Sequence, residues 1–320
     1  MEQWQQHLKS AVTDTAELYD LLNLRQTVPL VRSSFALRVP RPFIERMQKG
    51  NPNDPLLLQV QVRADELKQV PGYQQDPLAE SSSNPIPGLL HKYQGRVLIM
   101  LTGSCAVNCR YCFRRHFPYA DNSGLAHWSR IIDYIKADPS INEVIFSGGD
   151  PLLVDDAKLS RLITDLEKIE HVTTLRIHTR TPVVIPQRIT DALVSCLRET
   201  RLQSVVVLHI NHANEIDATL QQKLRLLNEV ATLLCQSVLL KGINDSVDAL
   251  VQLSHRLFAS SVLPYYLHQL DKTQGVHHFD VDEEVGINLV KALQARLPGY
   301  LVPRYVREVA GKASKVPFSL

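Results

Sequence analysis

After Arg96 the chain alternates short apolar or β-branched runs with stretches of helical length, and no other feature constrains its fold as tightly. The runs occupy residues 97–101, 144–146, 175–177, 205–210, 238–240 and 263–267. Between them lie patterns such as Leu159, Leu162, Ile163 and Leu166, whose i, i+3, i+4, i+7 spacing puts all four on one helical face. This is the βα alternation of a parallel sheet or barrel. Six repeats rather than eight predict a partial (β/α)6 barrel of the α/β class, with its chemistry at the C-terminal ends of the strands.

The residues ahead of this region read differently. Up to about residue 70 they are polar and helix-like, with Thr13 or Asp14 as a capping candidate before Leu18, Leu21 and Leu22. Pro71, Pro77, Pro85 and Pro87 with Ser81-Ser82-Ser83 then break helix and strand alike, which predicts a linker or wrapping loop. The expected division is a helical extension over residues 1–90, the barrel over 91–297 and a C-terminal segment over 298–320. No internal repeat or low-complexity segment is present.

A composition of 44% hydrophobic and 21% charged residues is that of an ordinary globular enzyme. A formal charge of +2 gives no basic surface for nucleic acid or membrane, so the expected ligand is small. No apolar run approaches the roughly 18 to 20 residues that span a bilayer, and the first residues are not a secretory signal. Of five cysteines, three crowd into eight residues, unlike a secreted disulfide framework, so a reducing, cytoplasmic location is expected.

Those three are Cys105, Cys109 and Cys112, in Cys105-Ala106-Val107-Asn108-Cys109-Arg110-Tyr111-Cys112, directly after the first apolar run of the barrel. Three thiolates on one loop can hold three irons of a cubane and leave the fourth open to a cosubstrate. A zinc-stabilised structural or interaction protein is the competing reading, and it needs a fourth ligand such as His116. Cys196 and Cys235 read as core residues. Ser147-Gly148-Gly149-Asp150-Pro151 follows the second run; its glycines allow close backbone approach, with amides free for a charged ligand, and Asp150-Pro151 opens the next helix.

The C-x3-C-x2-C spacing resembles the radical S-adenosylmethionine (radical SAM) superfamily. That resemblance implies a 4Fe-4S cluster whose open iron takes the amino and carboxylate groups of S-adenosyl-L-methionine, and reduction that releases a 5'-deoxyadenosyl radical. It also implies that Ser147, Gly148, Gly149 and Asp150 form the segment contacting the methionine amino group.

A narrower resemblance, from about residue 30 to the end, is to the lysine 2,3-aminomutase family. It rests on His91-Lys92-Tyr93 with Arg96, Cys109-Arg110-Tyr111-Cys112-Phe113-Arg114-Arg115, Ser147-Gly148-Gly149-Asp150, Arg180-Thr181-Pro182, the run from His209 to Glu215, and the run from Tyr265 to Asp271. Within the family, Phe35-Ala36-Leu37-Arg38-Val39-Pro40, Gly50-Asn51-Pro52-Asn53-Asp54-Pro55-Leu56-Leu57 and the short C-terminus resemble the branch that makes β-lysine for elongation factor P.

The family implies pyridoxal 5'-phosphate bound as a Schiff base to Lys315, in Ser314-Lys315-Val316-Pro317. It further implies that Arg114 binds the carboxylate of L-lysine and that Asp271 and Glu308 hold its amines. His209 and Gln236 would contact the cosubstrate, and Arg96 the pyridoxal phosphate or the acidic pocket. Glu308 departs from the family's aspartate, its extra methylene shortening the space for the distal ammonium. Gly311-Lys312-Ala313-Ser314 replaces a glycine run, stiffening the loop and making Lys312 a competitor for the aldehyde.

The resemblance thus implies isomerisation of L-α-lysine to β-lysine, an external electron donor such as flavodoxin, a lysyl-transferring enzyme acting on elongation factor P, and a homo-oligomer. A lysine 2,3-aminomutase of catabolism or osmolyte synthesis shares the chemistry. An RNA-modifying radical enzyme is disfavoured by the near-neutral charge.

Overall fold

The computed structural model describes residues 2–319, except for the side chains at positions 81, 82 and 120. Its centre is one nine-stranded sheet whose strands lie side by side in chain order. They are β1 (Leu89–Tyr93), β2 (Arg96–Thr102), β3 (Glu143–Gly148), β4 (Thr174–Thr179), β5 (Gln203–His209), β6 (Thr232–Val238), β7 (Leu263–His268), β8 (Arg304–Arg307) and β9 (Val316–Pro317). Strands β2 to β8 run parallel, and β1 and β9 add to the two edges antiparallel.

The sheet is rolled. Seven strand spacings would put β1 and β8 about 34 Å apart in a flat sheet. Instead the Tyr93 hydroxyl at the end of β1 donates to the Glu308 carboxylate just past β8. No backbone ladder joins β1 to β9 among the described residues, so the barrel is partial and a side-chain contact spans its gap.

Five of the helices between strands have a capping side chain and an apolar stripe. Asp155 accepts from the amide of Lys158 and starts the helix Asp156–Glu167, which buries Leu159, Leu162, Ile163 and Leu166. Thr190, Asp217, Ser246 and Asp282 cap four later helices in the same way. Their stripes and the outward faces of β2 to β6 make the main core.

Five of the six apolar runs lie on strands, with Ile210 just beyond the end of its own. The run at 238–240 does not: the strand is Thr232–Val238. Its alternation, with Leu233, Cys235 and Ser237 buried, is masked by polar residues on both faces. Leu239 and Leu240 are buried as the strand's exit turn, where the Leu240 amide donates to Asn244 Oδ1 at 2.8 Å. Cys235 lies within this strand and is buried. Residues 298–320, expected as a separate C-terminal segment, supply β8 and β9 to the same sheet.

The N-terminal extension packs over the cysteine loop. Asp14 caps the helix Thr15–Leu21, and Trp4, Leu18, Tyr19, Phe43, Leu56 and Leu57 share one core with Ala106, Val107, Val184 and Ile185. Arg188, fully buried, lies under the Trp4 ring and donates to the Val154 carbonyl at 3.0 Å, tying the first helix to the barrel.

Candidate active site

The cysteine loop leaves the C-terminal end of β2 and is held from outside by the extension. The amide of Asn108 donates to the Arg38 carbonyl at 3.0 Å and that of Arg110 to the Gln59 carbonyl at 2.9 Å. Arg110 is itself fully buried, with its Nε 2.8 Å from Glu66 Oε1, and Arg115 reaches the same carboxylate at 2.9 Å. A buried carboxylate between two guanidiniums is stable only as a hydrogen-bonded network, so the loop's shape depends on Glu66.

Burial raises the pKa of all three thiols. Burial and the neighbouring Cys109 push Cys112 up to about 11. They are therefore protonated when free, and metal loading must release their protons. Among the described residues no three His, Cys, Asp or Glu side chains converge on a single-ion site, and His116 Nε2 lies 3.2 Å from the Gln274 carbonyl. His116, the fourth zinc ligand expected from sequence, is thus turned to a backbone carbonyl, and three cysteines on one loop are a donor set that fits a cluster with one open iron.

The glycine turn after β3 does something other than the sequence suggests. The Gly149 amide donates to the Thr102 carbonyl at 2.6 Å and the Asp150 amide to the Ser104 carbonyl at 2.8 Å, so neither is free for a ligand. A Cβ on Gly149 would sit 2.1 Å from the Ser104 oxygen, and Gly148 has φ +122°. The turn is built to lie against the cysteine loop. Asp150, expected to bind cofactor, accepts from Leu152 N, Thr179 Oγ1, Arg180 N and Thr181 N, which knots the ends of β3 and β4 together. Four protein donors already occupy its two oxygens.

Inside the barrel the strands present alternate residues. His209, the last residue of β5, pairs in register with Gln236 of β6, and Gln236 with Tyr266 of β7. His209 Nε2 is 2.8 Å from the Tyr111 hydroxyl. Burial lowers the pKa of His178, His209 and His268 well below the ordinary value, so all three are neutral.

At the closing end, Lys315 forms an ion pair with Glu308, whose other oxygen accepts from Tyr93. Its ammonium lies 5.9 Å from the centre of the Tyr266 ring, and the Arg96 guanidinium lies 4.7 Å from that of Tyr93. Strand β9 begins at the residue after Lys315, and Phe318 stacks on Tyr305 at 4.3 Å, which fixes the lysine's approach. Lys312 is exposed. Asp271 has no ion-pair partner among the described residues, and burial followed by the nearby Glu308 raises its pKa to about 7.

Arg114 is paired at Nε and Nη2 with both oxygens of Glu80, each at 2.8 Å. Glu80 also meets Lys92 at 3.3 Å. Burial pushes Glu80 up, but Arg114 and Lys92 hold its pKa down to about 2. The Nη1 of Arg114 faces Ser147 at 3.4 Å.

Asp271 thus feels Glu308 and Lys315, and the buried His178 feels both Lys315 and Arg114, so the four side chains border one polar interior. Three residues there were given no role from sequence: Glu80, Tyr93 and Arg180. A signal existed for Glu80, the only acidic residue between Asp76 and Asp121, a stretch holding five Lys or Arg.

Residues 99–232 match the Radical SAM superfamily. Over its full length the chain is 50% identical to the L-lysine 2,3-aminomutase of Escherichia coli (strain K12), covering 95% of that protein. It is 51% identical to the enzyme of that name from Haemophilus influenzae over 99% of this chain and 96% of the relative. Against the one from Clostridium subterminale identity is 35%, over 98% and 77% respectively. Similarity of this extent, on a barrel whose cysteine loop and C-terminal lysine open to one interior, places the chain in the lysine 2,3-aminomutase family of radical SAM enzymes.

Proposed function

We propose that this chain moves the α-amino group of L-lysine to Cβ, giving β-lysine. The observation that carries the reading is the convergence of one guanidinium, Arg114, two carboxylates, Asp271 and Glu308, and a reactive-lysine candidate, Lys315, in the barrel that the cysteine loop caps. One carboxylate and two amines are what the substrate offers, and the residues match that charge pattern.

When bound, the cluster with S-adenosyl-L-methionine supplies a radical that takes a β-hydrogen, and pyridoxal phosphate supplies the π system through which nitrogen migrates. Cys105, Cys109 and Cys112 would hold the cluster, and Lys315 would hold the pyridoxal phosphate with help from Arg96. His209 and Gln236 face the cosubstrate. Ser147 and the glycine turn shape its cradle by fixing β3 against the cysteine loop.

The other residues have orienting roles. Glu80 occupies two nitrogens of Arg114, so the substrate carboxylate would be met by Nη1, which here donates only a long bond to Ser147. Asp271 binds an ammonium best when ionised, and an ammonium at that site lowers its pKa in return. Glu308 keeps the Lys315 ammonium paired until the proton is lost, and its carboxylate is the nearest acceptor for it. The extension packs against the cysteine loop, and Glu80 ties the turn at 76–83 to Arg114 and Lys92.

The resemblance of residues 35–40 and 50–57 supports the finer reading: a cytoplasmic homo-oligomer, reduced by a flavodoxin-type donor, that supplies a lysyl-transferring enzyme acting on elongation factor P. Among the described residues no helix is long and apolar enough to cross a membrane. Anaerobically reconstituted protein should form 5'-deoxyadenosine from S-adenosyl-L-methionine only when lysine and pyridoxal phosphate are both present. Formation at an equal rate without pyridoxal phosphate would remove lysine isomerisation from the account.

A further inference from the structure

Arg180 is the first residue past β4, and its backbone amide is fixed to Asp150 Oδ2 at 2.7 Å. Its side chain is almost wholly buried, 7% exposed, and runs under the cysteine loop. Nη1 donates to Cys109 Sγ at 3.1 Å and also to the Tyr111 hydroxyl. Nη2 donates to Gln59 Oε1 at 2.7 Å and lies 3.2 Å from Glu215 Oε2.

Glu215 is fully buried and tightly held: Oε1 accepts from the amides of Asn211 and His212 at 2.8 and 3.0 Å and from Gln59 Nε2 at 3.1 Å. Gln59, from the N-terminal extension, thus bridges the cation and its counter-ion. Little of this network can be screened by solvent, so its charges act at low dielectric on whatever the Cys109 sulfur carries.

We infer that Arg180 is a positioning residue that sets the reduction potential of the cluster, through its N–H to the Cys109 sulfur and its buried positive charge. The inference rests on the cluster assignment for Cys105, Cys109 and Cys112. Reduction adds one electron, from an external reductant, to a cluster already held by three thiolates. A donor to ligand sulfur and a fixed cation stabilise that added charge and raise the potential, while the more distant Glu215 partly offsets them. The cosubstrate can be cleaved only by the reduced cluster, so the network governs how readily an ordinary cellular donor starts the cycle.

The test is a mediated redox titration of the reconstituted holoprotein without S-adenosyl-L-methionine, followed by electron paramagnetic resonance of the reduced cluster. Arg180→Gln should keep its iron and lower the reduced-to-oxidised ratio at fixed potential at least tenfold, a shift of about 59 mV for one electron. Arg180→Lys should fall between it and the parent. Glu215→Gln should shift the opposite way. A midpoint unchanged in iron-loaded Arg180→Gln, or the two variants moving in the same direction, overturns the inference. Should Arg180→Gln lose iron, Glu215→Gln decides: a more positive midpoint supports the role and an unchanged one refutes it. No cluster signal in the parent protein would instead overturn the cysteine assignment.

Discussion

Lys315 is ion-paired with Glu308, and that carboxylate also accepts from Tyr93, so one acidic side chain joins the first strand of the barrel to the segment before the last. The lysine is thereby seated within the gap that the rolled sheet leaves open. Borohydride reduction of the pyridoxal-loaded protein, followed by peptide mapping, should label Lys315 and not the exposed Lys312. Lys315→Ala should lose the absorbance of the lysine-bound cofactor and keep the iron–sulfur spectrum. Label on Lys312 would move the cofactor site.

Asp271 makes the rate depend on pH. Burial is the largest influence on its pKa, followed by Glu308, which raises it, Lys315, which lowers it, Glu80, which raises it, and Lys92, which lowers it. Below about 7 it is protonated in the free enzyme and gives a lysine ammonium no counter-charge. So kcat/KM for lysine should rise with pH through about 7. Asp271→Asn should lack that limb and fall at least tenfold, since a buried ammonium without its counter-ion costs several kcal/mol by order of magnitude. The sign for stability is opposite. A carboxyl whose pKa is raised on folding opposes folding as pH climbs from its unfolded value, roughly 3.9, through the folded one. Asp271→Asn should therefore unfold no earlier than the parent at pH 8, measured by thermal melting of the cofactor-free protein.

Glu80 holds Arg114 and Lys92 together at the mouth. Glu80→Gln keeps the shape but removes the charge that orients the guanidinium. It should raise KM for lysine about tenfold or more, with a smaller change in kcat and unchanged iron content. An unchanged KM would show that Arg114 needs no such support.

How far the sequence reached follows from which residues carry periodic signals. The βα alternation needs only apolar spacing, and the cysteine loop only its motif. Strand β9 has two residues, Val316 and Pro317, too few for any pattern, and β8, Arg304-Tyr305-Val306-Arg307, hides two buried residues between exposed charges. The Gly149 amide, expected to be free for a ligand, donates to the Thr102 carbonyl instead. Glycine in a turn signals close backbone approach but not to what, and here the neighbour is the Thr102–Ser104 backbone. Glu80 and Arg180 act through partners 34 and 71 residues away in the chain, which no local pattern records.

Replacing Cys105, Cys109 or Cys112 by Ala should each abolish 5'-deoxyadenosine formation, because two thiolates leave the cluster without a three-point anchor. Cys235, buried beside Ser237 on β6, and Cys196, on the helix Asp191–Glu199, should tolerate Ala with iron content intact. Iron and sulfide analysis of the five variants separates the two groups.

The central claim is migration of nitrogen from Cα to Cβ within one lysine. Lysine carrying nitrogen-15 at its α-amino group, incubated anaerobically with the reconstituted protein, S-adenosyl-L-methionine, pyridoxal phosphate and a reductant, reads it directly by nuclear magnetic resonance. The account predicts an isomer of unchanged mass with the label bonded to Cβ. Lysine recovered unrearranged while 5'-deoxyadenosine accumulates, or a product that has lost the label, would contradict it.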